Sequence, residues 1–454
     1  MAESTTKRKS VARSGTIIFR NQNGRGIMKN RRVAIIEGFR TPFTRAFTDF
    51  AEMTAIDLAK VVLAELVNRS EIDPTEIDEI AMGVSIPKPT TTNIARIAAL
   101  GIGLPKTIHS YHMQLACASS ILTTANVAMS IMTGNADVGI AGGAESMSDV
   151  PISVTEPLRQ AILLAQTKKS AEEQMLTIGQ VKLADLVPPP LPLAEAYTGL
   201  TMGEHTELMV KEWGVTREEQ DDFAFRSHTL AGSAVADGRI PAEVIPVVAP
   251  DGHVAHTDNL IRPKPNRTKM ASLKPVFDPA YGSITAANAS PLTDGAAAVL
   301  LMADEKAKAL GYKPKAYIKS FGFSGLDLDI GMLFGPAFST PKALRQAGLK
   351  LADLDLVEMH EAFAGQVLCN LKAFKDKSWL QEQVGLSEPI GEPDMEFFNM
   401  MGGSVSIGRP FGATGARMIT SCANQLPRVD GTFGLVTACA ANGTGGAMIL
   451  ERAN

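Results

Sequence analysis

The sequence predicts an α/β protein built of two similar halves, with a separate region inserted between them. Three observations predict this. Short buried-strand segments alternate with segments of helical spacing. A strand, helix and strand pattern near the N-terminus recurs near the C-terminus. From about Asp149 to Tyr281 the alternation stops and strands become scarce.

The first half opens with "RRVAIIEGFRTPF" (Arg31–Phe43), in which "VAIIEG" reads as a short buried strand stopped by Gly38 and Pro42. Asp73, Pro74 and Glu76 fit the N-cap, N1 and N3 positions of a short helical turn. "IAMGVSI" then reads as the next buried strand. In "MQLACASSILTTANVAMSIMTG", Ile121, Leu122, Ala125, Ala128, Met129 and Met132 recur at helical spacing, with Met129 and Met132 read as core. Gly134 ends that helix, and "ADVGIAGGAESMS" is a strand running into a glycine-rich turn.

The inserted region begins with a turn-rich linker, "VPPPLPLAEAYTG". Thr216 and Glu219 form a capping box for a helix through Phe223, Phe225 and Leu230. "IRPKPNRTKMASLKP" carries Arg262, Lys264, Arg267, Lys269 and Lys274 and no acid. It reads either as a solvated loop or as an anion site for a phosphorylated ligand. "GSITAANASPLTDGAAAVLLM" (Gly282–Met302) then returns to a small-residue strand and an apolar helix. The second half repeats the first. "LADLDLVEMHEAF" parallels "DPTEIDEIAMGVS". "GATGARMITSCANQL" with the strand "TFGLVTACAANGTG" parallels the helix after Cys117 and its strand. The expected division is a basic extension over 1–31, a first half over 32–149 and 282–304, an inserted loop domain over 150–281, and a second half over 305–454.

Composition narrows the function. The chain has 454 residues, 45% hydrophobic and 20% charged, enough for a sizeable core. A net charge of -4 leaves no footprint for nucleic acid. The four cysteines, Cys117, Cys369, Cys422 and Cys439, form no CxxC pair, so a reducing compartment and free thiols are expected. No apolar run is long enough for a transmembrane segment. The first 32 residues hold nine Lys or Arg and one acid, Glu3. They lack the apolar stretch of a secretory signal, and read as a transit peptide or as a basic, partner-binding tail. The expected location is cytoplasmic, with the mitochondrial matrix as the alternative.

Cys117 lies at a predicted helix start, where free N–H groups and the helix dipole favour the thiolate. Read alone, it is equally a small buried residue. "GGSVSIGRPFGATGAR" (Gly402–Arg417) is a constrained glycine-rich loop that leads into a helix. Such a loop can hold a phosphate or present a catalytic side chain. No P-loop motif is present, which sets aside a phosphate-binding NTPase. If the halves pack about a pseudo-twofold, the start of the Cys117 helix, the Arg409 loop and the strand ends bearing His360 and Cys439 converge on one site.

Six motifs occur in order: "LACASS", "GGAESMS", "NASPLTDGAAA", "HEAF", "GGSVSIGRPFGATG" and "CAANGTG". Together they resemble the thiolase family of 3-ketoacyl-CoA thiolases and acetyl-CoA acetyltransferases, over about residues 32 to 451. "HEAF", "GGAESMSDVP" and "EKAKALGYKPKAYIKSF" look most like the β subunit of the fatty-acid oxidation trifunctional complex and its bacterial relatives. The resemblance implies two pseudo-symmetric βαβαβαββ halves in a five-layer αβαβα arrangement. It implies that Cys117 is the acyl-carrying nucleophile and Cys439 the acid/base. His360 would orient a water or donate toward the thioester oxygen, and N–H groups at Cys117 and Ala441 would form an oxyanion hole. Ser290, Met202 and Phe363 would line the pantetheine channel, and the inserted domain would hold the nucleotide end of coenzyme A. Coenzyme A is then a substrate, with no metal or bound cofactor. The implied partners are acyl-CoA, a second copy in a homodimer or dimer of dimers, and a hydratase/dehydrogenase subunit. Ketosynthases share the fold but place a histidine where Cys439 stands.

Two positions depart from the family pattern. The family reads "GHP" where this chain has Gly408, Arg409 and Pro410. The histidine lost there is the base that activates the nucleophile. Arginine stays protonated, so Arg409 cannot replace it as a base, but it can favour a thiolate and donate to an oxyanion. Asn442 stands where the family has glycine, a milder change because Asn tolerates left-handed backbone.

Overall fold

The computed structural model describes residues 31–189 and 194–453; most of the basic extension, and part of the proline-rich linker, lie outside the described residues. The first half contains β1 (Val33–Arg40), α1 (Ala55–Ser70), β2 (Glu79–Gly83), α2 (Ile94–Gly101), β3 (His109–Met113), α3 (Ser119–Met132) and β4 (Val138–Glu145). The insertion is helical: α4 (Glu156–Gln166), α5 (Ala171–Ile178), α6 (Met202–Glu212) and α7 (Arg217–Ala236). β5 (Thr293–Ala303) completes the first half. The second half contains β6 (Ala316–Gly325), α8 (Gly335–Ala347), β7 (Leu356–Met359), α9 (Ala364–Ala373), α10 (Thr414–Gln425), β8 (Phe433–Ala440) and β9 (Thr444–Arg452).

The strands run in the order β7, β8, β9, β6, β1, β5, β4, β2, β3. β2 pairs in parallel with β3 and β4, and β7 in parallel with β8. β5 is antiparallel to β1 and β4, and β9 is antiparallel to β6 and β8. The halves therefore share one topology. They meet edge to edge, where Val33, Ala34 and Ile35 of β1 pair with Ile318, Tyr317 and Ala316 of β6.

Apolar continuity places each strand. β4, β5 and most of β8 are buried on both faces, so they read as unbroken runs of small and branched residues, without alternation. One core packs α1 and α2 on the outer face of the first sheet, and another packs α8 and α9 on the outer face of the second. Between the sheets lies a third core built on α3 and α10. The result is the expected five-layer αβαβα fold.

The structure corrects several local expectations. "AAAVLLM" forms no apolar helix; it is the buried second part of β5, and the helix that follows, Asp304–Ala309, is short and charged. Met129 is 40% exposed and not core. It lies with Leu122 and Asn126 on the least buried stripe of α3. Asp73 caps the turn Pro74–Glu76 through the Thr75 N–H, while Glu76 pairs with Lys306 at 2.5 Å. The Thr216–Glu219 capping box forms as read. The second half lacks a full third strand: a single parallel bridge, Val357 to Phe398, stands where β3 stands in the first. Asn399 explains the loss. Its left-handed backbone (φ 46°) turns the chain away, and its side chain takes over the pairing. Asn399 Oδ1 accepts from Met359 N at 2.8 Å, and Nδ2 donates to Met359 O at 2.9 Å.

Candidate active site

The site forms at the carboxyl ends of the parallel strands, along the seam between the halves. Beyond β3 the chain enters a tight turn, Ala116–Ala118, which carries Cys117 and leads directly into α3. Ala116 has φ 43°, a left-handed conformation costly for any residue with a Cβ. Ser119 pins the turn: its Oγ donates to Ala116 O at 2.6 Å and accepts from Leu115 N at 2.8 Å. Ser85 Oγ donates to the same carbonyl at 2.9 Å. These bonds hold the sulfur at the mouth of the seam.

The glycine-rich loop approaches from the second half. Gly412 in it serves close backbone packing. A Cβ on Gly412 would stand 2.5 Å from Gly83 O, and one on Gly143 would stand 2.0 Å from Gly412 O. Gly412 N donates to Glu145 Oε2 at 3.0 Å, and Glu145 also accepts from the N–H groups of Ser85 and Ile86. One buried carboxylate thus ties the Arg409 loop to the Cys117 side of the seam.

Arg409 is 7% exposed. Its N–H donates to Thr293 Oγ1 at 3.0 Å, and its guanidinium carbon lies 5.4 Å from the Phe363 ring centre and 5.2 Å from that of Phe411. Arginine suits such stacking because its charge is spread over a plane. Its charge bears on both sulfurs, favouring the thiolate of Cys117 and of Cys439. Burial works the other way and prevails, so both thiols sit above the ordinary cysteine value. The helix start therefore does not make Cys117 a standing thiolate, as its position alone suggested. Burial, with help from Arg409 and Arg417, pushes His360 well below the ordinary histidine value, which leaves it neutral.

A cavity of about 480 Å³ opens onto these groups. Cys117, Met202, Ser290, Phe363, Arg409 and Ala441 all line it, so six of the eight residues singled out in the sequence meet there. His360 and Cys439 do not line it; both are fully buried behind its wall. Ser290 Oγ donates to Ala362 O at 2.7 Å, which docks "NAS" against "HEAF". Asn442, in the left-handed region at φ 63°, also lines the cavity. Sequence reasoning missed the aromatic wall made by Phe411 and Phe277, the latter edge-on to Phe363 at 5.9 Å. It also missed Glu145, Ser404 and Arg417, whose partners are remote in the chain. None of the five basic residues of "IRPKPNRTKMASLKP" lines this cavity; Arg267 instead pairs with Asp222 and covers the Phe225 ring. Among the described residues no group of three or more His, Cys, Asp or Glu is placed to hold a metal ion, and no helix is long and apolar enough to cross a membrane.

Two sheets around a shared helix layer, with a cysteine-bearing cavity at their seam, define an acyl-transferring class of α/β enzyme. Residues 33–305 match the thiolase N-terminal domain and residues 312–452 the thiolase C-terminal domain, and the chain belongs to the thiolase family. It is 46% identical over 424 residues to a 3-ketoacyl-CoA thiolase of Shewanella amazonensis, which covers 93% of this chain and 97% of that protein. Identity and coverage are the same for a 3-ketoacyl-CoA thiolase of Aeromonas salmonicida. The crystal structure of the Bacillus anthracis acetyl-CoA acetyltransferase superposes with a TM-score of 0.78 at 32% identity, over 93% of this chain and 100% of that one.

Proposed function

We propose that this chain is an acetyl-CoA C-acyltransferase that cleaves 3-ketoacyl-CoA with coenzyme A through an acyl-cysteine. The observation that carries the reading is the meeting of Cys117 and a buried Arg409 at one cavity, with Cys439 behind the wall and still within reach of the Arg409 charge. Cys117 enters the cycle by releasing its proton to solvent, and the thiolate, its charge held beside Arg409, attacks the 3-keto carbon as the C2–C3 bond breaks. The acyl group stays on Cys117, and the departing acetyl-CoA carbanion takes the proton of Cys439. Coenzyme A then gives its thiol proton to Cys439, attacks the thioester and leaves as the shortened acyl-CoA, which frees Cys117. Arg409 cannot take a proton, so it serves by charge: it favours the thiolate and donates to the developing oxyanion. Met202, Phe277 and Phe363 supply an apolar wall suited to a pantetheine arm, and coenzyme A is a substrate in this scheme.

The reading extends to a role in fatty-acid β-oxidation and to a likeness with the β subunit of the trifunctional complex. It also includes the domain division given above, a homodimer or dimer of dimers, and a cytoplasmic or mitochondrial matrix location. The complex is tested by gentle co-purification: absence of a hydratase/dehydrogenase neighbour would count against it. The chemistry is tested by CoA-dependent cleavage of 3-ketoacyl-CoA of several chain lengths, with the native chain and Arg409→His side by side. Turnover by the native chain is expected. One observation favours a second reading, an acyl-CoA-binding or scaffold subunit: Arg409 replaces the base. Turnover by Arg409→His alone would establish that alternative.

A further inference from the structure

Behind the cavity wall, four buried side chains run in file toward the site. Glu358 lies on β7, Arg417 on α10, Ser404 at the start of the short helix Ser404–Ile407, and His360 just past β7. Each is at most 1% exposed. Arg417 Nη1 donates to Glu358 Oε2 at 3.1 Å, and Nη2 donates to Ser404 Oγ at 3.4 Å. Ser404 Oγ lies 2.8 Å from His360 Nδ1.

The direction of these bonds follows from what each group can do. A guanidinium only donates, so Ser404 Oγ accepts from Arg417 and must place its own hydrogen elsewhere. Nδ1 of His360 is the acceptor within reach. A buried hydroxyl hydrogen left unpaired is costly, which favours this arrangement over the reverse. An imidazole that accepts at Nδ1 carries its proton at Nε2.

A second observation agrees. His360 Nε2 is buried without a hydrogen-bond partner, and so are Nε and Nη1 of the neighbouring Arg409. An accepting Nε2 would be a natural partner for that guanidinium. Two donors do not pair, and each is left to bond a third group.

We propose that Ser404, held by Arg417, is a positioning residue that locks His360 as the Nε2–H tautomer, so that His360 donates beside Arg409 and does not serve as the base. Resting on the thiolase reading, both donors serve the substrate oxygen that gains charge, and proton transfer falls to Cys439.

The test is ¹⁵N spectroscopy of the full chain labelled in histidine at neutral pH, with the His360 signals assigned by their loss in His360→Asn. The native chain is expected to show Nε2 protonated and Nδ1 bare. Ser404→Ala should mix the tautomers and lower kcat roughly 10–100-fold with KM little changed. Ser404→Thr, which keeps the hydroxyl, should restore both. Ser406→Ala removes a buried hydroxyl from the same helix and should leave the His360 pattern intact. A native Nδ1–H pattern, an imidazolium, or a Ser404→Ala chain with the native pattern would overturn the proposal. Cleavage assays on the same samples separate it from the reading it rests on. The Nε2–H pattern without cleavage keeps the tautomer lock and removes the activity. Cleavage with the Nδ1–H pattern does the reverse.

Discussion

α3 and α10 hold equivalent places in the two halves, yet they begin in different ways. α3 follows a strained non-glycine turn, with Ala116 at φ 43°, pinned by serine hydroxyls. α10 follows a loop whose Gly408 sits at φ 107° and whose Gly412 presses backbone against backbone. The first start carries a neutral thiol, the second a permanent charge. In the proposed scheme the duplicated scaffold divides the labour: one copy supplies the atom that bonds to substrate, and the other supplies the field around it. Arg409 keeps that division where the family pattern has a histidine, but it confines the second start to electrostatics.

The largest effect is expected at the nucleophile. Cys117→Ser should lower kcat/KM by ~10⁴-fold or more and abolish the acyl adduct seen by mass spectrometry after incubation with acyl-CoA. An adduct that persists would move the nucleophile elsewhere. Next comes the charge. Arg409→Ala should lower kcat by ~10²–10³-fold, the usual loss for one oxyanion donor. It should also shift Cys117 alkylation to higher pH, since removing a cation that favours the thiolate raises an already elevated thiol. Arg409→Lys should fall between, keeping charge without the planar fork. An unshifted alkylation profile would mean that the sulfur does not sense the guanidinium.

The scaffold itself should respond less. Gly412→Ala forces a Cβ to within 2.5 Å of Gly83 O, and neither backbone can retreat far. A loss of ~1–3 kcal/mol in denaturant unfolding is expected, and a neutral result would show that the loop is free to move. Ala116→Gly should do the opposite, gaining up to about 1 kcal/mol by removing left-handed strain while lowering kcat because the nucleophile turn loosens. Unchanged stability would show that the turn carries little strain.

Much of this was legible beforehand, for reasons tied to particular residues. The repeat of strand and helix around Cys117 and Gly412 disclosed the two halves, because a buried strand must be apolar and a helix start needs small residues. Cys117, Arg409, Ser290 and Phe363 were found through local motifs. The Arg417, Ser404 and His360 file was not, since its members come from different elements and only packing brings them together. Arg417 carries no local signal, since a lone helix arginine ordinarily reaches solvent, whereas every residue of α10 but Asn424 is buried. Met129 failed for the converse reason: regular spacing marks a stripe, but not which edge of the stripe reaches water. The missing third strand was hidden because a single side chain, Asn399, can imitate a length of backbone.

The shared layer of α3 and α10 has a consequence for assembly. Each of these helices is covered on two sides, and the covering sheets come from opposite ends of the chain. Neither half can close its interior alone. A chain severed between the two thiolase-domain matches should yield fragments that aggregate apart and regain the fold, and the cavity with it, when mixed. In such a split pair, each fragment is the other's chaperone.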